Sequence, residues 1–366
     1  MLDDCHSIFD LRERARRRLP EPIFHALDGA AESESTARRN TAAFDEVKLI
    51  PKCLVNVERV RTATHGLGRA VEWPVFCSPT GGCRLFHTDG ELAVARAAAK
   101  AGTLYGLSTV STCSIEEVAA ATRGPKLFQL YACQDPDTTQ SLIARAKRCG
   151  YAALCVTADT AVADKWERDL RSGVFGPRRK WPVRTLMGFA RHPGWILKRQ
   201  GKGALATANF VSPGGKQPPA VFELNPSVTW KDLRDVADFW GGPLALKGVL
   251  SPDDARRAVD AGVTAVIVSN HGGRQLDGAL ASIEALPEIV RAVGDRAEVF
   301  LDGGIRRGVH VLKAAALWSK GLLIWETGTY TDRAREGRGA LRRPWRFYGQ
   351  SLYVACSWPV ARILPA

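Results

Sequence analysis

The chain has 366 residues, 45% apolar and 24% charged, the balance of an ordinary soluble globular protein. Its formal charge of +13 would draw anionic ligands, an anionic membrane surface or nucleic acid. No helix-turn-helix, RNA-binding or zinc-finger spacing accompanies that charge, so nucleic acid is not an expected partner, and no apolar run reaches the ~18 residues of a membrane-spanning helix.

The first residues, MLDDCHSIFDLRERARRRLP, are acidic and then basic and lack the apolar stretch of a secretory leader. Residues 1–70 are expected to form helices that close the side or bottom of the domain behind them. From residue 74 onward, short apolar runs alternate with helix signals. The runs are 74–78 (PVFCS), 103–108 (TLYGLS), 127–131 (LFQLY), 153–157 (ALCVT), 244–247 (LALK), 265–269 (AVIVS), 299–302 (VFLD) and 321–325 (GLLIW).

Between these runs, Ser114 and Glu117 make a capping box, Ser251 precedes Pro252 at a helix start, and residues 89–101 are strongly helix-forming. Buried strands alternating with helices indicate a parallel sheet, and eight such units indicate an α/β (β/α)8 TIM barrel. The expected architecture is a single domain over 1–366, with an inserted lid at about 160–242 and an atypical eighth unit. Arg178, Arg179, Lys180, Trp181, Phe189, Trp195, Lys198 and Arg199 give the lid a basic and aromatic character, which also suits a membrane surface.

Functional groups of a barrel gather at the C-terminal ends of its strands. Seven of the eight runs end in polar residues: Ser78, Ser108, Gln129 with Tyr131, Thr157 with Asp159, Lys247, Ser269 with His271, and Asp302. The sixth run continues into SNHGGRQLDG. There His271 supplies a base that works near neutral pH, and Arg274 a fork that clamps a carboxylate. Its glycines would let a ligand approach the backbone closely. Asp159 suits the orientation of His271.

Lys247, at the end of a buried strand, needs an anion or a polar cofactor to face. Ser108, Gln129 and Thr157 are neutral hydrogen-bonders that suit a heterocyclic ring. The seventh run leads into Asp302-Gly303-Gly304-Ile305-Arg306-Arg307-Gly308, a glycine turn with arginines at a helix start, which suits a phosphate. The nine cysteines form no CxxC pair and the seven histidines are scattered, so reduced thiols in a cytoplasmic protein and no metal site are expected. Together these residues describe a phosphorylated flat cofactor, a carboxylate clamp and a base.

SNHGGRQLDG, LALKG, FQLY, VTADT, LSTVSTCSIEEVA and DGGIRRG together resemble the FMN-dependent α-hydroxy-acid dehydrogenase/oxidase family, over about residues 6–317. NPSVTWKDL, DFWGGP and SPDDARRAVDAG are most similar to its bacterial L-lactate dehydrogenase branch. The resemblance implies oxidation of an L-2-hydroxy acid, L-lactate first, to the 2-oxo acid with FMN as cofactor. It implies His271 as the base, supported by Asp159, with Tyr131 on the substrate oxygen and Arg274 on the carboxylate. Pro79, Thr80, Ser108, Gln129, Thr157 and Ser269 would line the flavin, Lys247 would face its N1/C2 edge, Asp302 would hold the ribityl chain, and Gly304 and Arg306 would lie near the phosphate. The expected electron acceptor is a quinone or another carrier, with oxygen as the alternative. The chain is expected to be a cytoplasmic homo-oligomer, with peripheral contact at the inner face of the membrane through the lid as a further expectation.

Three positions depart from the family pattern. Ala26 stands where a tyrosine is usual, and Trp325-Glu326 where Gly-Arg grips the phosphate. Trp166 stands where a second carboxylate-binding arginine is expected, so that either Lys165 or Arg168 substitutes for it or the tryptophan shapes a pocket for an aromatic substrate. Residues 318–366 lose the family ending, through either a shifted reading frame near Trp318 or divergence. These changes motivate a second reading, a flavin-poor or inactive barrel with a binding or regulatory role. A third, a different FMN or phosphate-binding barrel chemistry, is disfavoured by the His271–Arg274 pair.

Overall fold

The computed structural model describes residues 4–56, 58–162, 165–174, 181–198, 207–210, 224–317, 321–324 and 360–364. Eight parallel strands close into a barrel: β1 (Val75–Thr80), β2 (Tyr105–Ser108), β3 (Lys126–Leu130), β4 (Ala153–Thr157), β5 (Leu244–Val249), β6 (Ala265–Val268), β7 (Glu298–Asp302) and β8 (Gly321–Ile324). Each neighbours the next in sequence, and β8 pairs with both β7 and β1. The eighth unit therefore completes the sheet although its sequence reads as atypical.

The expected helix starts are present. Ser114 and Glu117 form the capping box of helix Ile115–Ala121, and the Ser251 hydroxyl caps helix Pro252–Asp260 with Pro252 in its first turn. The alanine-rich run forms helix Gly90–Lys100.

Strand alternation sorts the side chains. Phe76, Leu104, Leu127, Ala153, Cys155, Ala245, Ala265, Ile267 and Phe300 form one apolar cluster, distinct from the larger core between strands and helices. Because a strand repeats every two residues, the same set continues up the strands to Ser78, Ser108, Gln129, Thr157, Lys247, Ser269 and Asp302. The register keeps these polar ends level, with Ser108 opposite Gln129 and Thr157 opposite Lys247. The barrel interior is thus apolar at its lower end and polar at the end where the loops leave.

The N-terminal residues divide between the two ends. The antiparallel hairpin Thr64–Gly66/Arg69–Val71 plugs the lower end: Leu67 and Val71 join the apolar cluster, and the Leu67 N–H donates to Glu298 at 2.7 Å. Helices α1 (Ile8–Arg18), α2 (Glu21–Asp28) and α3 (Ser35–Glu46) lie toward the upper end, where α3 packs on the turn His271–Gly273. Strand Lys48–Pro51 pairs antiparallel with Val360–Leu364.

The segment between β4 and β5 crosses this same upper end. Helix Glu167–Ser172 and helix Val183–Ala190 pack on α2, and the Trp195 indole donates to the Leu85 carbonyl at 3.2 Å. Buried Asn209 ties the segment to the barrel. Its amide donates to the Thr109 carbonyl and the Ser111 hydroxyl at 3.0 Å each, and its oxygen accepts the Ile115 N–H at 3.0 Å. Arg178, Arg179, Lys180 and Arg199 lie outside the described residues, as do Trp325 and Glu326.

Candidate active site

At the top of β6 the chain makes a short turn, and His271 takes a left-handed backbone conformation with φ of 59°. A non-glycine residue held there is strained, which the surroundings must over-determine. Two fixtures do so. The His271 N–H donates to the Ser269 hydroxyl at 3.0 Å, and the neighbouring Asn270 exchanges two side-chain hydrogen bonds with Asn40 of α3 at 2.8 and 2.7 Å. Asp277 secures the other end of the loop by accepting the Thr36 N–H and the Ser35 hydroxyl, both at 2.8 Å.

These contacts revise the reading of the glycines in the motif. A Cβ on Gly273 would lie 2.5 Å from the Ala37 N, so that glycine admits α3 rather than a ligand. Gly304 also makes room for α3 in the turn after β7, where a Cβ would fall 2.1 Å from the Asn40 carbonyl oxygen. Of the three glycines in the motif, Gly272 and Gly278 have open space beside them.

The His271 imidazole is 7% exposed and bridges two groups. Its Nδ1 lies 3.0 Å from Asp159 Oδ1, and its Nε2 lies 3.3 Å from the Tyr131 hydroxyl. A carboxylate at Nδ1 fixes the proton of a neutral ring on that nitrogen, leaving Nε2 as the basic site facing Tyr131. Burial would push Asp159 upward, but the charge and hydrogen bond of His271, with Lys247 behind them, outweigh it and hold the carboxyl below its usual range. Burial pushes the Tyr131 hydroxyl up to about 12, so it stays protonated at neutral pH.

Beneath this array lies a buried charged pair. Lys247, 1% exposed, places Nζ 3.0 Å from Asp302 Oδ2 and 3.0 Å from the Ser269 hydroxyl, which in turn donates to Asp302 at 3.0 Å. Burial alone would discharge the lysine, but Asp302 and Asp159 outweigh it, and its pKa lies above the ordinary value. On the opposite wall Gln129 accepts from Ser108 at 3.0 Å and donates to Thr157 at 2.9 Å. Asp302 Oδ1 and Ser78 Oγ are buried and have no hydrogen-bond partner among the described residues. Buried polar atoms in that condition are costly unless a polar group comes to face them, so this layer fits a flat, hydrogen-bonding cofactor. Pro79 and Thr80 end β1 in the same layer, with Pro79 packed directly against Gly106 of β2.

Arg274 is reached from a different side. Its guanidinium lies 4.3 Å over the Trp166 ring, and its Nη1 donates to the Gly29 carbonyl at 2.5 Å. Neither substitute for the missing arginine comes forward. Arg168 is bound to Asp28 at 3.0 Å and to Glu34, and the exposed Lys165 lies 3.3 Å from Glu167. Both follow nearby carboxylates, a pairing that sequence position could not show. Arg306 donates to the Ile305 carbonyl at 3.1 Å and, with Gly303 and Gly304, borders a cavity of about 480 Å³ whose other wall is formed by α1 and α3.

Sequence reasoning missed three supports of this site: Asn40, Gly248 and the stacking role of Trp166. Gly248, φ 100°, makes room for Asp159, since a Cβ there would lie 2.5 Å from the Asp159 Cγ. A glycine directly after Lys247 was the available signal. Asn40 had none, because its partner is 230 residues away.

The sequence profile of the FMN-dependent dehydrogenase family matches residues 15–333, past the point near residue 317 where the motif likeness was expected to stop. An L-lactate dehydrogenase from Caulobacter sp. (strain K31) is 40% identical over 91% of this chain and 89% of its own length. An L-lactate oxidase from Nostoc sp. (strain PCC 7120 / SAG 25.82 / UTEX 2576) is 42% identical over 87% and 84% of the two chains. Among solved structures, the monotopic membrane protein (S)-mandelate dehydrogenase superimposes with a TM-score of 0.91 at 32% identity, over 98% of this chain and 96% of the other. A mandelate oxidase variant with (S)-mandelic acid gives a TM-score of 0.82 at 36% identity, over 96% and 93%. With a profile spanning most of the chain and relatives this similar across its length, the chain belongs to the FMN-dependent dehydrogenase family.

Proposed function

We propose that this protein oxidises an L-2-hydroxy acid to the 2-oxo acid, with L-lactate the first candidate substrate. The observation that carries the reading is the Asp159–His271–Tyr131 array, a base with one ring nitrogen held by a carboxylate and the other facing the Tyr131 hydroxyl. When bound, FMN supplies the two-electron acceptor for the reaction. Lys247 would face the N1/C2 edge of the ring, with Ser108, Gln129, Thr157, Ser269, Pro79 and Thr80 along it, Asp302 toward the ribityl chain, and Gly304 and Arg306 toward the phosphate.

In this reading Arg274 binds the substrate carboxylate and Tyr131 donates to the substrate oxygen. His271 Nε2 takes the hydroxyl proton, and Asp159 holds the imidazolium that results. The buried Lys247 charge favours negative charge gained by the cofactor. Nothing in the described residues supports a flavin-poor barrel with a binding role. The test is anaerobic: purified yellow protein should bleach on adding L-lactate or L-mandelate. Protein that cannot be loaded with FMN, or that stays yellow with every L-2-hydroxy acid tried, overturns the reading.

We infer further that the electron acceptor is a membrane quinone and that the protein meets the membrane through the segment after β4. Helices Val183–Ala190 and Pro193–Leu197 carry Val183, Leu186, Met187 and Leu197 largely exposed, beside Trp181 and among Arg184, Arg191 and Lys198. Apolar side chains ringed by cations suit an anionic lipid surface. The relative described as a monotopic membrane protein supports the same reading. Flotation with anionic vesicles should carry the protein up, and Leu186→Glu/Leu197→Glu should leave it at the bottom of the gradient. Parent protein that does not float removes the proposal.

A further inference from the structure

Trp166 touches Arg274 at both of its ends. The indole ring lies 4.3 Å beneath the guanidinium carbon, and the indole Nε1–H donates to the Arg274 backbone carbonyl at 2.9 Å. The Gly29 carbonyl accepts from Nη1 at 2.5 Å and fixes the rotation of the guanidinium in its own plane. A long, flexible side chain is thereby held at its base, along its face and at one corner. Trp166 itself is fixed by its place at the N-terminus of helix Glu167–Ser172, which packs on α2.

The chemistry of the holder matters. A carboxylate in this position would pair with Arg274 and compete with any incoming anion, whereas a second cation would repel it. An indole attracts the guanidinium through its π face without neutralising it, and stacking leaves the edge N–H donors directed outward in the plane of the group. The ring therefore orders the arginine without itself neutralising it.

We propose that Trp166 is a positioning residue for substrate binding: it holds Arg274 so that the guanidinium edge meets the substrate carboxylate. This rests on Arg274 being the carboxylate clamp of the proposed reaction. Pre-ordering of this kind lowers the entropic cost of closing the ion pair, so it acts on substrate binding and leaves the electron-transfer step itself alone.

The test uses the full-length, FMN-loaded protein and anaerobic flavin reduction by L-lactate and by its neutral amide, L-lactamide, over a range of concentrations. Trp166→Ala should raise the half-saturating L-lactate concentration by about 10-fold, the worth of a desolvated cation–π contact. The limiting reduction rate should stay within about two-fold, and the L-lactamide values should not move, because that ligand has no carboxylate to be clamped. Trp166→Phe keeps a ring but loses the N–H donor, and should raise the L-lactate value by about three-fold. Should the alanine variant fail to load FMN, the phenylalanine variant decides alone: an increase confined to L-lactate supports the proposal, and a parental value overturns it. A loss in limiting rate without a change in half-saturation, or equal effects on acid and amide, also overturns it. Arg274→Ala separates the two claims: if it leaves L-lactate binding intact, the clamp reading fails rather than the positioning role.

Discussion

Gly248 and Asp159 fit against each other so closely that a Cβ on the glycine would stand 2.5 Å from the carboxyl carbon. The backbone of Gly248, at φ 100°, lies in a region that side-chain-bearing residues rarely adopt. The strand that supplies Lys247 thus carries next to it the one residue type that allows Asp159 to reach across and meet His271 at 3.0 Å. Gly248→Ala should push Asp159 off His271 and slow anaerobic flavin reduction by about 10-fold or more, with a stability loss on the order of 1–3 kcal/mol from the strained backbone. A parental reduction rate and midpoint of thermal unfolding would show that this fit has no role.

His271→Gln should leave FMN bound, because the imidazole contacts Asp159 and Tyr131 and contributes nothing to the Lys247–Asp302 pair. Reduction of the flavin by L-lactate should fall by about 10²–10⁴-fold, the usual contribution of a positioned base. Stopped-flow absorbance measures it directly, and a variant that bleaches at the parental rate would exclude His271 as the base.

Lys247 and Asp302 are both about 1% exposed, so each is tolerable only in the presence of the other. Lys247→Met should cost about 3–5 kcal/mol in denaturant unfolding of the FMN-free protein, since it strands a buried carboxylate. Lys247→Met combined with Asp302→Asn should recover part of that loss. Additive destabilisation in the double variant would contradict the pairing.

Asp169 is 5% exposed, and one of its carboxyl oxygens has no hydrogen-bond partner among the described residues. Burial, opposed in part by Arg274 and Arg168, raises its pKa to about 6 from the ordinary 3.8. As pH rises through that interval the unfolded chain releases the proton first, so stability falls between about pH 4 and pH 6 and stays lower above it. The cost at neutral pH is on the order of 2 kcal/mol. Asp169→Asn should therefore unfold at a higher temperature than the parent at pH 7 and match it near pH 4. An asparagine variant less stable at pH 7 would mean that the ionised carboxylate is being stabilised by the charges around it.

The barrel was legible in the sequence because each strand carries its own signal. Runs such as ALCVT and AVIVS announce buried strands locally, and their alternation alone places Thr157 and Ser269 in line with Cys155 and Ile267 of the apolar interior. The same local logic identified His271, Asp159, Lys247 and Asp302 as polar residues at strand ends. What the sequence could not determine were relations between residues distant along the chain. Nothing in residues 35–46 announces that Asn40 will bond Asn270, or that α3 will fill the space left by Gly273 and Gly304. The position of Trp166 suggested a lost cation to be replaced by Lys165 or Arg168, yet both of those bind carboxylates nearby and the indole stacks on Arg274 instead. Periodicity and motif follow from short-range backbone geometry, which the sequence carries by itself. Which charged group meets which partner is settled only when the closed barrel brings distant loops to one end and burial makes every unpaired charge costly.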